Sequence, residues 1–144
     1  MKELSKISIF NNCFKNKNVI VTGHTGFKGS WLSLWLKTLG ANVRGISLDP
    51  ITHPSHYKVI NLTKKINDRR CNILNKKKLE KEIISFKPHF IFHLAAQSLV
   101  NKSLKFPHTT WETNVIGTIN ILECLRKIEH KCVGVIITSD KCYE

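Results

Sequence analysis

Apolar and polar positions along the chain follow two rhythms, and the switches between them set out the elements. Val19 to Val21 is a β-branched run suited to a buried strand, and it stops at Gly23, Gly26 and Gly29. From Phe27 to Leu39 the apolar residues Trp31, Leu32, Leu34, Trp35, Leu36 and Leu39 fall on more than one helix face. That pattern predicts a buried helix packed on a sheet. Gly40 follows as a left-handed C-cap, and Ala41 to Leu48 reads as a second strand ending at Asp49-Pro50. Residues 51–70 show little periodicity and predict one short helix near Ser55 to Ile60, then a third strand near Arg70 to Ile73. Asn75 caps a helix over Lys76 to Phe86, with Leu79, Ile83 and Ile84 inward, and Pro88 ends it. His89 to Leu94 is nearly all apolar, as in a parallel strand buried on both faces. Thr109 with Glu112 three residues on reads as a capping box opening a helix from Thr110 to Lys127, and Val133 to Thr138 reads as a fifth buried strand.

The order β-α-β-(α)-β-α-β-α-β predicts an α/β fold, a Rossmann-like doubly wound parallel sheet of order 3-2-1-4-5. Residues 1–17 read as an N-terminal extension and 18–144 as the sheet domain, truncated after its fifth strand. With no helix after that strand, Val133, Val135 and Ile137 are expected on an uncovered face.

Composition changes this picture little. A chain of 144 residues has room for one domain with a core. The formal charge of +13 raises nucleic acid as a partner, but the nineteen Lys and four Arg are spread along the chain without interleaved aromatics. A stacking platform needs those aromatics, so no nucleic-acid role is expected. Five cysteines form no Cys-x-x-Cys pair, which suits a reducing cytoplasm, and Cys124 and Cys132 read as small packing residues. Residues 1–14 hold no unbroken apolar segment, and no run approaches the ~20 residues a membrane span needs, so a cytoplasmic chain without a membrane partner is expected. His53 and His56 lack neighbours at ligand spacing and read as solvated loop histidines, with no metal site.

The candidate chemistry starts at Thr22-Gly23-His24-Thr25-Gly26-Phe27-Lys28-Gly29. A strand entering a helix through such a turn offers free backbone N–H groups to a diphosphate. Gly23 allows the tight turn, Gly26 lets the backbone approach the phosphates, and Gly29 lets the helix lie close to the strand. Asp49 lies 20 residues beyond Gly29, the spacing at which a carboxylate accepts from the adenosine ribose hydroxyls and favours NAD over NADP. Leu94, Ala95, Ala96, Gln97 and Ser98 follow a strand end where small residues admit a flat ligand.

Four segments in order resemble the extended short-chain dehydrogenase/reductases that act on nucleotide sugars. They are the glycine turn, His93-Leu94-Ala95-Ala96-Gln97, Glu112-Thr113-Asn114-Val115-Ile116-Gly117-Thr118, and Thr138-Ser139-Asp140-Lys141-Cys142-Tyr143. Gly-Phe-Lys-Gly before Ser-Trp-Leu, with Ser-Asp-Lys-Cys-Tyr, is most similar to the CDP-glucose 4,6-dehydratase branch. The resemblance implies NAD as cofactor and CDP-glucose as substrate. It implies a redox-neutral elimination in which hydride leaves C4, water is lost across C5 and C6, and the hydride returns at C6. It further implies that Asp140 protonates the departing oxygen, Lys141 stands at the C5 base position and Ser139 bonds the C4 oxygen. Phe27, Lys28 and the strand-four loop would hold NAD, with Thr113 and Asn114 lining its side of the site.

Two departures accompany the likeness. Where the family has Asp-Ile for adenine, this chain has Asn72-Ile73, which implies weaker adenine binding. The family's Tyr-x-x-x-Lys pair and the substrate lobe are absent from these 144 residues. The reading is therefore of an inactive N-terminal portion, with a non-catalytic NAD module, half of a split enzyme, or another epimerase or dehydratase such as one acting on GDP-mannose as alternatives. Full-length family members are expected to be homodimers.

Overall fold

A computed structural model describes residues 9–139. Five parallel strands are joined in the order β3-β2-β1-β4-β5. In chain order the elements are β1 (Asn18–Thr22), α1 (Phe27–Thr38), β2 (Asn42–Ser47), α2 (His56–Val59) and β3 (Asn67–Arg70). There follow α3 (Lys76–Phe86), β4 (Phe90–His93), α4 (Val100–Lys105), α5 (Pro107–Trp111), a π-helical turn (Glu112–Ile116), α6 (Gly117–Arg126) and β5 (Val133–Ile136). The predicted class and strand order are those observed.

Alternation along β1 divides the core into two layers. Ile20 points with Ile46 and Ile91 toward α3 and α6, where it meets Leu79, Ile83, Phe86, Ile121 and Cys124. Val19 and Val21 point the other way, to Val43, Leu36 and Ala41 under α1. Successive strand residues face opposite sides, so both faces of a central parallel strand are covered and apolar residues occupy most of its positions. Cys124 is buried as expected, and burial pushes its thiol up to about 11.

Several expectations need correction. The third strand is Asn67–Arg70, not Arg70 to Ile73. Its residues are polar because it is the edge strand, so hydropathy did not mark it. Helix α1 turns Gly29, Ser30, Ser33 and Leu36 to the sheet, while Trp31 and Trp35 are each about half exposed, at 51% and 48%. Small residues let the helix approach closely, and the larger rings are displaced outward. The predicted helix from Thr110 is a series: α4 was not foreseen, α5 opens with Pro107 at its first turn, and Thr109 lies inside α5 rather than capping it. In α3, Asn75 does accept from the Lys78 amide at 3.1 Å, but Phe86 takes the buried place assigned to Ile84. His56 is not a solvated loop histidine: it starts α2, bonds Ser30 Oγ at 2.7 Å and stacks on Trp31 with ring centroids 4.2 Å apart. Among the described residues β5 pairs with β4 alone; it is not the buried strand expected, while Val133 and Ile137, expected on an uncovered face, are exposed. No helix among the described residues is long and apolar enough to cross a membrane.

The orientation of α1 predicts an inverted size effect. Leu36→Ala should cost about 2–5 kcal/mol, whereas Trp31→Ala, removing the larger but half-exposed side chain, should cost less than Leu36→Ala. Urea unfolding of the two variants checks this; the reverse ranking would mean that α1 is rotated about its axis.

Candidate functional site

The carboxyl ends of the five strands form one edge, the side of a parallel sheet at which ligands bind. At its centre, β1 runs into the glycine turn. Gly23 has φ +75°, and a Cβ there would lie 2.8 Å from the Ala95 amide nitrogen. A Cβ on Gly29 would lie 2.2 Å from the Gly23 carbonyl oxygen, so helix and turn touch backbone to backbone. Gly26 differs. It is exposed with φ −74°, and the one heavy atom near its Cβ position is Gly23 O at 3.3 Å. Its backbone is unstrained and its outer side is open apart from that one tight contact, which fits a ligand approaching from outside. Gly26 is also the N-cap of α1, and no side chain caps the helix. The amides of Phe27, Lys28 and Gly29 open the helix beside it, with the Phe27 and Lys28 side chains exposed. An uncapped helix start attracts an anion.

The β4 end is tied to this turn by a buried hydroxyl–imidazole chain. Thr22 Oγ1 accepts the Leu94 and Ala95 amides, each at 3.2 Å, and lies 2.7 Å from His93 Nδ1. His93 Nε2 is 3.1 Å from Thr118 Oγ1, which donates its proton to Asn114 O at 2.7 Å. Thr118 can then only accept from Nε2, so Nδ1 accepts from Thr22, and one neutral tautomer satisfies every member. Burial holds the His93 imidazole down at about 4. Beyond it, Asn114 clamps the loop: its Oδ1 takes the Gln97 amide at 2.7 Å, and its Nδ2 reaches Gln97 O at 2.9 Å. Thr113 and Asn114 lie in the π-helical turn, a feature frequent at functional sites and without a hydropathy signature. Ala96 and Ser98 are exposed at the strand end.

On the β2 side, Thr25 Oγ1 donates to Leu48 O at 3.0 Å and accepts from Ser47 Oγ at 2.8 Å. A cleft of about 310 Å³ lies beyond, lined by Asp49, Arg70, Asn72, Asn75 and Lys78 among others. Asn72 Oδ1 holds the Leu74 amide at 2.9 Å. Ile73 is a core side chain, 5% exposed, and packs on Gly117 rather than lining the cleft. Sequence reading missed His24, Tyr57, Asp68 and Arg70, which meet behind this cleft. His24 is fully buried and its Nε2 bonds Asp68 Oδ1 at 2.9 Å. Burial lowers the His24 pKa despite the Asp68 carboxylate. Burial alone would raise Asp68, but bonds from Tyr57, His24 and Arg70 hold it below the usual carboxylate range. Ser139 is exposed just past β5 on the same edge; Asp140 and Lys141 lie outside the described residues.

The buried histidines make stability depend on pH. Below pH 6.5 the unfolded chain binds a proton at His93 that the folded chain refuses until about pH 4. Stability should be full above pH 6.5 and fall by about 3 kcal/mol as pH drops to 4, with His24 adding in the same direction. Urea unfolding at stepped pH checks this, and His93→Gln should flatten the slope; a curve level across that range would contradict a buried, uncharged His93.

The chain is 46% identical over 136 residues to CDP-glucose 4,6-dehydratase of Salmonella typhimurium, covering 94% of this chain and 38% of that one. It is 30% identical over 112 residues to a probable dTDP-glucose 4,6-dehydratase of Sinorhizobium fredii, over 76% and 31% of the two chains. Among solved structures it resembles UDP-glucose 4-epimerase of Thermus thermophilus in complex with NAD, at 29% identity and TM-score 0.67 over 77% of this chain and 34% of that one. The chain thus spans about a third of the length of these relatives. The profile of the family described as GDP-mannose 4,6 dehydratase matches residues 20–143. A match from the first strand to the penultimate residue takes in the whole sheet, and the chain belongs to the GDP-mannose 4,6 dehydratase family.

Proposed function

We propose that these residues form the NAD-binding portion of a nucleotide-sugar 4,6-dehydratase whose substrate is CDP-glucose. The observation that carries the reading is the start of α1: an exposed glycine N-cap, held close to the end of β1, with no side chain capping the helix. The substrate rests on the 46% identity to the Salmonella CDP-glucose enzyme. The amides of Phe27, Lys28 and Gly29 would take the diphosphate, Asp49 the adenosine ribose, Asn72 the adenine and Leu94 to Ser98 the flat ring system, with Thr113 and Asn114 behind. NAD, when bound, supplies a hydride acceptor for C4 of the hexose and a donor for C6. The chain's own residues would handle protons and position. Ser139 would hydrogen-bond the C4 oxygen, Asp140 would protonate the departing C6 oxygen, and Lys141 would take the C5 proton. A lysine base must be neutral, which burial against a coenzyme ring favours.

A polypeptide of these 144 residues contains no Tyr-x-x-x-Lys pair to deprotonate the C4 hydroxyl. It is therefore proposed to bind NAD without dehydrating CDP-glucose alone.

The three glycines separate binding from folding. NAD should raise the melting temperature with a dependence on concentration that obeys mass action. Gly26→Ala should cost the unliganded chain far less stability than Gly29→Ala, whose Cβ would meet the Gly23 carbonyl oxygen at 2.2 Å rather than 3.3 Å, yet should abolish the NAD shift. An unshifted parent, or a Gly26→Ala chain that binds as before, would defeat the coenzyme assignment. Appearance of 4-keto-6-deoxy product from the 144-residue polypeptide would defeat the proposed inactivity.

A further inference from the structure

Asp49 projects from a turn that gives it no support. Its side chain is 87% exposed, and its one partner among the described residues is Arg70 Nε at 2.7 Å. A lone exposed pair of this kind contributes little, because both side chains remain free to leave it. Arg70 is not free. Its second arm donates to the Tyr57 hydroxyl at 2.6 Å, its third to Asp68, and its guanidinium carbon lies 5.2 Å from the centre of the Tyr57 ring. Asp68, 8% exposed, is held in turn by Tyr57 and by His24 Nε2. His24 belongs to the glycine turn and lies flat against β2, where a Cβ on Gly45 would come within 2.3 Å of its ring. An unbroken line of charged and polar groups therefore runs from the phosphate-binding turn to the exposed carboxylate.

We propose that Arg70 is a positioning residue for coenzyme binding, acting through Asp49. The inference rests on the coenzyme reading above. The planar fork of Arg70, fixed by Asp68 and Tyr57, holds Asp49 Oδ1 in place. Oδ2, which carries no described hydrogen bond, is left to accept from a ribose diol. Ordering happens on folding rather than on binding, which removes the loss of side-chain freedom that an unsupported Asp49 would suffer when coenzyme arrives. Lysine cannot reproduce this, since its ammonium has no rigid fork to join two carboxylates and a phenol.

The test is a calorimetric titration of NAD and of 2′-deoxy-NAD into the chain and its variants. Arg70→Gln should weaken NAD about fivefold, the scale of ordering one side chain on binding, and should shrink the preference for NAD over the 2′-deoxy analogue. Asp49→Asn should shrink the same preference, and the double variant should be no weaker than Asp49→Asn alone, since the two residues act as a unit. Should Arg70→Gln not fold, Arg70→Lys serves, with the same loss of preference expected. Equal weakening of both ligands, additive losses in the double variant, or tighter NAD binding would overturn the proposal while leaving the coenzyme site intact. No binding of NAD by the folded parent would overturn the coenzyme reading and this inference together.

Discussion

Helix α1 can lie where it does only because nothing stands between Gly29 and the Gly23 carbonyl. A single methyl group would need to occupy space 2.2 Å from that oxygen. The contact sets the distance from helix to turn, and with it the place of every other element at the carboxyl edge. It brings the α1 amides to the end of β1, and it leaves small Ser30 and Ser33 as the buried surface beneath larger outward residues. Ser33 meets this crowding by donating its hydroxyl to Gly29 O at 2.7 Å, so the tight face has its polar group satisfied.

Two further ties spread from that centre. To one side, Thr22, His93 and Thr118 join β1, β4 and α6 through hydrogen bonds that admit one proton arrangement. To the other, His24 joins the turn to β3 through Asp68. Both imidazoles are buried and neutral, so both ties depend on excluded water. A buried polar network of this kind fixes geometry well because any rearrangement leaves a group unpaired. Arg44 is a buried cation that pattern reading overlooked: it faces α3, bonds Glu82 O at 2.8 Å and lies 4.3 Å from the Phe86 ring centre.

Much of the fold was legible because β1 and β4 carry apolar runs, Val19 to Val21 and Phe90 to Phe92, and because glycine and Asn75 mark turn and cap in ways that local chemistry dictates. What was not legible lay at the margins. Strand β3 is Asn-Asp-Arg-Arg, which no hydropathy rule reads as a strand, because its side chains serve the cluster around Asp68. The π-helical turn inserts no distinctive residue, so the spacing of Val115 and Ile116 looked like ordinary helix. For the site, the three glycines and Asp49 could be read from spacing alone. His24, Tyr57, Asp68 and Arg70 could not, since they are distant in sequence and meet only when β2 and β3 pair. One signal was available: a histidine inside a glycine turn is an odd choice unless its ring has a buried partner.

The stacking of Trp31 on His56 has an optical consequence. Indole emission responds to what lies against the ring, and here the ring is covered by an imidazole from α2 that is also anchored to Ser30 on α1. Trp31 follows the glycine turn by one helical step, while Trp35 lies beside Phe10 instead. The chain thus carries an intrinsic fluorophore whose colour and brightness follow the seating of the short helix against α1, without any label being attached.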